Sequence, residues 1–350
     1  MLDDRGGSEI LLTDGSQPLL RIEGALRPLE EAEALTGEEI EAIARTQIDD
    51  RYGDRLHHGQ EVDFSFTWRD KSRIRASAFY QRRSCSLSLT RIPLRIPSLG
   101  ELGVPVAVAT LVSGGHGLIL VTGQAGSGKS TTIAAMVEEI NRTEPCHIVT
   151  IEDPVEFVHV NRMACVSQRE VGTDTRSYAT ALRAIRREGA DVVVVGDLND
   201  ADTIGAALDI AESGHRVIGA LTINDSVSCI ERLIEVFPAN RRDRVRVQVA
   251  GTLLAVLYQR MVPRLGGGVA PAYELLIGLP SIRRLIRDGR TSFVRQAVVN
   301  GEGAGMQTLE RSLSSLVESG VIDLQTAVDA SLYPQDLSAG PVRAPSLSNH

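Results

Sequence analysis

The sequence predicts an α/β protein of two units, a small α+β unit over about the first hundred residues and then a unit built on a parallel sheet. Strict alternation of apolar with other residues over 62–80 indicates the first unit, because this is the period of a β-hairpin with one buried face. Short apolar runs that alternate with helical segments after Gly117 indicate the second, since parallel strands covered on both faces have this pattern. A length of 350 residues accommodates two domains of roughly 150 residues each.

The composition excludes several classes of protein. Hydrophobic residues make up 43% and charged residues 23% of the chain, so it can bury a core and is not disordered as a whole. The 37 basic and 45 acidic residues give a net charge of −8, which disfavours a globally basic nucleic-acid-binding protein. No apolar run approaches the roughly 18 residues of a membrane span, and no signal peptide is visible. We therefore expect no membrane span, no signal peptide and no nucleic-acid partner, although a local basic face stays open.

The cysteines are few and widely spaced, and none forms a CxxC pair. They are Cys85, Cys146, Cys165 and Cys229. A zinc site or a disulfide framework needs closer or more regular spacing. We therefore expect free thiols.

The first unit begins with two short strands and a helix. The strands are expected at Ile10–Leu12 and Leu19–Ile22. Thr36 and Glu39 form a capping box, and the apolar residues after them recur at helical spacing. We expect this helix to run to about Tyr52, where Gly53 ends it.

A hairpin and a linker complete the first unit. Its strands flank a turn at Asp70-Lys71-Ser72, and the alternation continues to Tyr80. Pro93 and Pro97 then break regular structure, so a linker is expected from Arg91 to about residue 105.

The second unit shows four buried strands followed by helices. The strands are expected at Leu118–Val121, Ile148–Ile151, Val192–Val195 and Val217–Leu221. After Gly251 the pattern predicts helices at Leu253–Tyr258, Ser281–Arg287 and Met306–Glu318. From residue 335 the chain is rich in Ser, Pro and Gly, which predicts a disordered tail over 335–350.

The strongest motif follows the first of these strands. The segment GQAGSGKS, residues 123–130, matches the phosphate-binding pattern GxxxxGK[ST], with a strand before it and a helix after it. Its glycines let backbone N–H groups surround phosphates, Lys129 reaches the β- and γ-phosphates, and Ser130 ligates Mg²⁺. The alternative is a glycine-rich turn that binds nothing, which leaves the lysine without a role. The motif predicts ATP and Mg²⁺ as ligands, held by Gly123, Gln124, Ala125, Gly126, Ser127, Gly128, Lys129, Ser130 and Thr131.

Carboxylates follow two other strands. Glu152, Asp153 and Glu156 come just after the strand at 148–151, where ligands bind in open α/β sheets; an acidic surface turn is the alternative. Asp197 follows the four valines at 192–195, the place of a carboxylate that holds magnesium or polarises a water molecule. The alternative for Asp197 is a helix N-cap.

Several strings of residues, taken in order, resemble the PilT family, the twitching-motility ATPases that retract type IV pili. The strings are GLILVTGQAGSGKST, TIEDPVEFVH, SQREVGTDT, ALRAIRREGADVVVVGD, ESGHRVIGAL and GMQTL. The resemblance runs from about Ser8 to Leu324. It implies a PAS-like N-terminal domain over residues 1–98 and a RecA-like P-loop ATPase domain with C-terminal helices over 99–334.

The resemblance also implies what the protein does. The family's members are ring-shaped homohexamers at the cytoplasmic face of the inner membrane, where they act on a platform protein of the pilus. Residues 123–130 match the family's Walker A motif, and the carboxylates from Glu152 to Glu156 match its Asp box. Asp197 stands where the Walker B motif has its catalytic and metal-binding carboxylate, and Gly214-His215 match the start of the His box. The catalytic residues implied are Asp197 and Glu152, and the metal ligands are Ser130 and Asp197.

Three departures from the family pattern concern hydrolysis. Asp197 replaces a glutamate, which withdraws the carboxylate by about 1.3 Å, and a misplacement on this scale can slow a positioned step about 10²-fold. Thr222 replaces the second histidine of the His box, and Asn199 replaces an arginine after Walker B. Nucleotide binding is thus expected to be intact, whereas hydrolysis is expected to be altered.

Three alternatives stay open. A poorly hydrolysing accessory paralogue of the PilT/PilU type, which could share a ring with a more active paralogue, is favoured by Asp197 and Thr222. A pilus-assembly or type II secretion ATPase is disfavoured, since no tetracysteine insert is present and residues 281–288 resemble the family's AIRNLIRE helix. A RecA-like nucleic-acid motor is the alternative from another class.

Basic residues are concentrated just before the linker. Between Lys71 and Arg95 there are seven basic residues and no acidic one. In the family, arginines of the N-terminal domain reach the ATP site of the neighbouring subunit, where a cation neutralises charge on the transferred phosphate. The alternative is a solvated basic face of the hairpin.

Overall fold

The structure is a computed structural model. It describes residues 7, 9–22, 25–48, 53, 56, 60–68, 72–92 and 95–337. The chain divides into two compact units. One contains the residues up to Ile96 together with Ile151–Val160 and Gln168–Arg176, and the other contains the rest. The domain ranges 1–98, 99–334 and 335–350 stay a prediction.

The first unit contains a six-stranded sheet in the order β3-β2-β1-β6-β5-β4. Its strands are β1 (Glu9–Leu12), β2 (Leu19–Ile22), β3 (Ala25–Pro28), β4 (Val62–Trp68), β5 (Ser72–Gln81) and β6 (Ser84–Ile92). All the neighbouring pairs are antiparallel. The first two strands and the hairpin confirm the sequence prediction, although the turn residues 69–71 lie outside the described part. β3 and β6 were not predicted, and Arg91 belongs to β6 rather than to a linker.

The one helix described in full in this unit, α1 (Gly37–Arg45), begins with the predicted capping box. The hydroxyl of Thr36 accepts the N–H of Glu39, whose carboxylate accepts the N–H of Thr36 at 2.8 Å. The predicted end near Tyr52 is wrong, because α1 ends at Arg45 and the Thr46 hydroxyl donates to the carbonyl of Ile43 at 2.7 Å. Residues 49–52 lie outside the described part. The buried face of α1 packs on the sheet within the core of this unit.

The larger sheet has seven strands in the order β13-β12-β7-β11-β10-β8-β9. Its strands are β7 (Gly117–Thr122), β8 (His147–Glu152), β9 (Cys165–Glu170), β10 (Val192–Val195), β11 (Arg216–Leu221), β12 (Leu253–Pro263) and β13 (Val269–Ile277). β10, β11, β7 and β12 run parallel, and β13 is antiparallel to β12. All residues of β7, β10 and β11 are buried, as expected for central strands that are covered on both faces. The four predicted strands are confirmed.

The described helices of the second unit connect and follow these strands. They are α2 (Ala107–Val112), α3 (Lys129–Thr143), α4 (Tyr178–Glu188), α5 (Ala201–Glu212), α6 (Ser226–Glu235), α7 (Ala239–Thr252), α8 (Pro280–Arg287), α9 (Val294–Val299), α10 (Leu309–Glu318) and α11 (Leu324–Ala330). α3, α8 and α10 confirm predicted helices. Within the described ranges, no helix is both long and apolar enough to cross a membrane.

One predicted helix is a strand. The segment Leu253–Tyr258 forms the first half of β12 and pairs in parallel with β7. A short apolar run fits a buried strand and a buried helix equally well, so its periodicity does not decide between them. Strand pairing favours the strand over the helix here, because β12 pairs with β7 and also forms a hairpin with β13. The turn of this hairpin contains glycines 266–268, which all have positive φ.

Candidate nucleotide-binding site

The phosphate-binding motif occupies the loop between β7 and α3. Thr122 at the end of β7 pairs with Leu221 at the end of β11 and with Tyr258 in the middle of β12, so the loop leaves the sheet at the carboxyl ends of β7 and β11 and beside β12. Gly123, Gly126 and Gly128 have φ values of +152°, +76° and +85°. L side chains rarely adopt these conformations, which is why the loop needs glycine at these positions.

The loop and the start of α3 fit a phosphate group. The first turn of a helix leaves N–H groups without intrahelical acceptors, and Gly128 at the N-cap of α3 supplies no side-chain cap. Gln124, Ala125 and Gly126 are exposed, and beyond the two neighbouring residues no heavy atom lies within 4 Å of the place that a Cβ on Gly126 would take. Open space, N–H groups and the positive end of the helix dipole therefore coincide.

Lys129 lies against this loop. Its Nζ donates to the carbonyl oxygens of Gly123 at 2.8 Å and of Gln124 at 2.9 Å. The neighbouring hydroxyl of Ser130 is exposed at the start of α3. An ammonium group and a hydroxyl thus border the open side of the loop. The ammonium group suits a phosphate, and the hydroxyl oxygen suits a Mg²⁺ ion that is bound to the phosphate.

Asp197 follows β10 and is half-buried near Lys129. Burial raises the pKa of the Asp197 carboxyl; the charge of Lys129 lowers it in part, and Asp200 raises it further. The side-chain amide of Asn199 donates to the Asp197 carboxylate. The N-cap interpretation of Asp197 is wrong, since the N-cap of α5 is Asp200, whose carboxylate accepts the N–H of Thr203 at 2.9 Å. The Asp197 carboxylate is therefore not used to begin a helix.

The Asp-box carboxylates belong to the first unit. Glu152 is the last residue of β8 and accepts a hydrogen bond from the amide of Gln168 at 3.1 Å. Glu156 forms an ion pair with Arg75 at 2.8 Å. At least one of the three predicted carboxylates therefore has a structural partner from the basic hairpin.

The hairpin also contacts the backbone of this segment. The Ser65 hydroxyl donates to the carbonyl of Val155 at 2.8 Å, and Arg73 donates to the same oxygen at 3.2 Å. The N–H of Val155 donates to Glu170 on β9 at 2.9 Å. Arg73 and Arg75 are two of the seven basic residues noted in the sequence, and both are engaged with the Asp-box segment of their own chain.

Thr222 lies in the loop after β11. The hydroxyl of Thr122 forms two hydrogen bonds with the backbone of the next residue, Ile223. It donates to the carbonyl at 2.9 Å and accepts from the N–H at 3.2 Å. The side chain of Thr222 is exposed. Thr222 thus lies in a loop that is anchored to Thr122, the last residue before the phosphate-binding motif.

Gln259 borders the phosphate-binding loop, although no motif in the sequence predicts it there. It lies on β12 and is 2% exposed. Its Nε2 donates to the carbonyl of Ser127 at 2.5 Å, and its Oε1 accepts from the hydroxyl of Thr132 at 2.7 Å. A glutamine inside the apolar run LLAVLYQRMVP was the available signal, but the first half of this run was interpreted as a helix.

Comparison with known proteins identifies the family. The family model described as "Type II/IV secretion system protein" matches residues 21–297. The chain is 36% identical to the type IV pilus retraction ATPase PilT of Pseudomonas aeruginosa over 332 residues, which cover 95% of this chain and 96% of the relative. It is 38% identical to a twitching motility protein of Neisseria gonorrhoeae, with 89% and 83% of the two chains covered.

A solved structure agrees with this result. The crystal structure of the pilus retraction motor PilT with bound ADP matches with a TM-score of 0.87 at 41% identity, over 96% of both chains. From similarity over nearly the full length, and from a phosphate-binding loop at the carboxyl edge of a parallel sheet, we conclude that the chain is a PilT-family member of the type II/IV secretion ATPases.

Proposed function

We propose that this protein is the motor ATPase that retracts type IV pili, and that it hydrolyses Mg²⁺-ATP to do so. The observation that carries the proposal is the phosphate-binding loop, in which open space, the N-terminus of α3 and Lys129 converge. The family relationship supplies the type of work, since relatives at 36% and 41% identity are named retraction ATPases or motors.

The proposed roles follow from the chemistry of each group. Lys129 and the backbone N–H groups of residues 123–131 bind the phosphates of ATP. Ser130 and Asp197 offer the oxygen ligands that Mg²⁺ prefers, and the bound ion would neutralise charge on the phosphates. Asp197, together with Glu152, orients or deprotonates the attacking water. The raised pKa of Asp197 suits this role, because a more basic carboxylate accepts a proton more readily.

The proposed assembly is a homohexameric ring at the inner face of the cytoplasmic membrane. Its partners are the platform protein of the pilus and, in the same cell, a PilT/PilU-type paralogue. In such a ring, ATP binding and release change the arrangement of the two domains, and the change is passed to the platform protein.

The first experiment measures Mg²⁺-ATP turnover and the binding of a fluorescent ADP by the purified chain. Lys129→Ala should lose turnover by about 10²-fold or more, because a cation that stabilises the transferred phosphate is removed. The matched control is Arg142→Ala, which removes an exposed cation from the far end of the same helix. Equal turnover in Lys129→Ala and wild type would contradict the proposal.

A second candidate function is a nucleotide-binding subunit that hydrolyses ATP slowly. The observation that favours it is the short Asp197 carboxylate, which also accepts a hydrogen bond from Asn199. Under this reading the wild type binds ADP but turns over no faster than Lys129→Ala, and Asp197→Glu gains turnover. The same set of proteins therefore distinguishes the two functions.

A further inference from the structure

We infer that Gln259 is a positioning residue for the nucleotide site, whose side-chain amide holds the phosphate-binding loop in its binding conformation. The inference rests on the proposed function, because it concerns how the same site binds nucleotide. Gln259 belongs to neither the Walker motifs nor the Asp and His boxes, and it lies about 130 residues after the loop.

The strand register places Gln259 beside the loop. Tyr258 on β12 pairs with Thr122, the last residue of β7. The residues that follow this pair are Gln259, which is still on β12, and Gly123, which is the first residue of the loop. β12 pairs with β7 on one side and with β13 on the other. The backbone of Gln259 is therefore held in place by the sheet.

The amide of Gln259 uses both its donor and its acceptor. Its Nε2 donates to the carbonyl of Ser127, in the second half of the loop, at 2.5 Å. Its Oε1 accepts from the hydroxyl of Thr132, in the first turn of α3, at 2.7 Å. All three residues are buried, and a buried polar group without its partner is costly. The amide therefore links the sheet, the loop and the helix.

Two glycines of the motif also pack against Gln259. A Cβ on Gly123 would lie 2.3 Å from the backbone oxygen of Gln259, and a Cβ on Gly128 would lie 2.8 Å from its Nε2. Real Cβ atoms do not approach other atoms this closely, so a side chain at either position would clash with Gln259. The loop therefore packs directly against Gln259 at Gly123 and at Gly128. The glycines here permit close approach to β12 as well as positive φ.

To form both hydrogen bonds, with Ser127 and with Thr132, a side chain at position 259 needs a donor and an acceptor at the end of a chain as long as that of glutamine. Methionine has a similar length but neither group, and an ionised glutamate lacks the donor and places a charge against the Ser127 carbonyl. A protonated glutamic acid has a hydroxyl that can donate and a carbonyl that can accept. Gln259→Glu is therefore expected to imitate glutamine at low pH and to fail at high pH.

The test measures the dissociation constant of a fluorescent ADP for the full chain between pH 5.5 and pH 8. At pH 8, Gln259→Met and Gln259→Glu should each bind about tenfold more weakly than wild type, as expected for the loss of a buried hydrogen bond. As the pH falls, Gln259→Glu should recover towards wild type while Gln259→Met stays weak. Lys129 and Asp197 are the same in all three proteins, so the ratio to wild type at each pH removes their titration.

The matched control is Gln248→Met, a buried glutamine on α7 whose amide donates to Asp209 and Glu212 and not to the loop. It should bind ADP as wild type does. Wild-type affinity in Gln259→Met, or a Gln259→Glu variant that follows Gln259→Met at every pH, overturns the inference. Because an ionised carboxylate at this buried position also lowers stability at high pH, circular dichroism at each pH confirms that Gln259→Glu is folded wherever its ADP affinity is compared. A wild-type chain that binds no ADP overturns the proposed function itself, which is a distinct result.

Discussion

At the residue scale, the proposed function makes Asp197 the residue on which the rate of ATP hydrolysis depends. The sequence identified it from its place after four valines, and the structure adds the raised pKa caused by burial and the hydrogen bond from Asn199. Asp197→Glu extends the carboxylate by one methylene, and we expect turnover to rise about tenfold if the proposed role is correct, because the longer side chain reaches further towards the attacking water. The assay is steady-state ATP turnover, with Asp202→Glu on the exposed first turn of α5 as the control. Lower turnover in Asp197→Glu would show that this site is built around the aspartate.

A second residue-scale prediction concerns the buried carboxyl of Glu274 on β13. Burial raises its pKa, although Ser226 donates to it from its hydroxyl at 2.5 Å and from its N–H at 3.2 Å. A pKa that is higher in the folded than in the unfolded chain favours folding below the unfolded value of about 4.3, and this contribution is lost as the pH rises through the folded value. Glu274→Gln cannot ionise. Its stability relative to wild type should therefore increase as the pH rises.

The measurement for Glu274→Gln is the urea unfolding midpoint across pH 4.5 to 8. Glu318→Gln, at an exposed position of α10, is the control and should follow wild type throughout. A constant difference between Glu274→Gln and wild type across this range would mean that the buried carboxyl does not titrate with a raised pKa.

At the element scale, the sequence predicts the elements whose signals are local, but not those whose conformation depends on pairing with distant segments. The capping box at Thr36, the loop between β7 and α3, and the valines of β10 all carry their information within a few residues. β12 was predicted in part as a helix, and β3 and β6 were missed. Their conformation depends on pairing with segments far away in the sequence, as between β12 and β7, and no local period reports such a pairing. The same error concealed Gln259.

An element-scale prediction concerns the connection between α3 and β11. Arg216 is 9% exposed and forms a two-pronged ion pair with Glu144, just after α3, at 3.0 to 3.2 Å, while its Nε donates to the carbonyl of Gly115 at 3.1 Å. Lysine cannot reproduce this fork. Arg216→Lys should lower the free energy of unfolding by about 2 kcal/mol in urea denaturation. The control is the exposed ion pair of Arg311 with Glu302. Arg311→Lys should change the free energy of unfolding by less than about 0.5 kcal/mol.

At the scale of the whole molecule, the Asp-box segment folds with the N-terminal sheet. Residues 151–160 and 168–176 belong to the first compact unit, and Ser65 and Arg73 of the hairpin both contact the carbonyl of Val155. These partners are 82 to 90 residues apart in the chain, so no local pattern could predict them. The phosphate-binding loop and Asp197 belong to the other unit. Glu152 therefore belongs to the first unit and Asp197 to the second.

This division predicts that the hairpin controls hydrolysis more than nucleotide binding. Arg73 is partly buried, its pKa is lowered by burial, and it donates to Ser65 at 2.5 Å as well as to Val155. Arg73→Ala should lower turnover about tenfold, because the segment that carries Glu152 loses a support, while the affinity for fluorescent ADP changes less than about twofold. Arg27→Ala, on the exposed strand β3 of the same sheet, is the control for the loss of an arginine. If ADP affinity falls as far as turnover does, Arg73 acts on the nucleotide itself, and the hairpin does not work through the Asp-box segment.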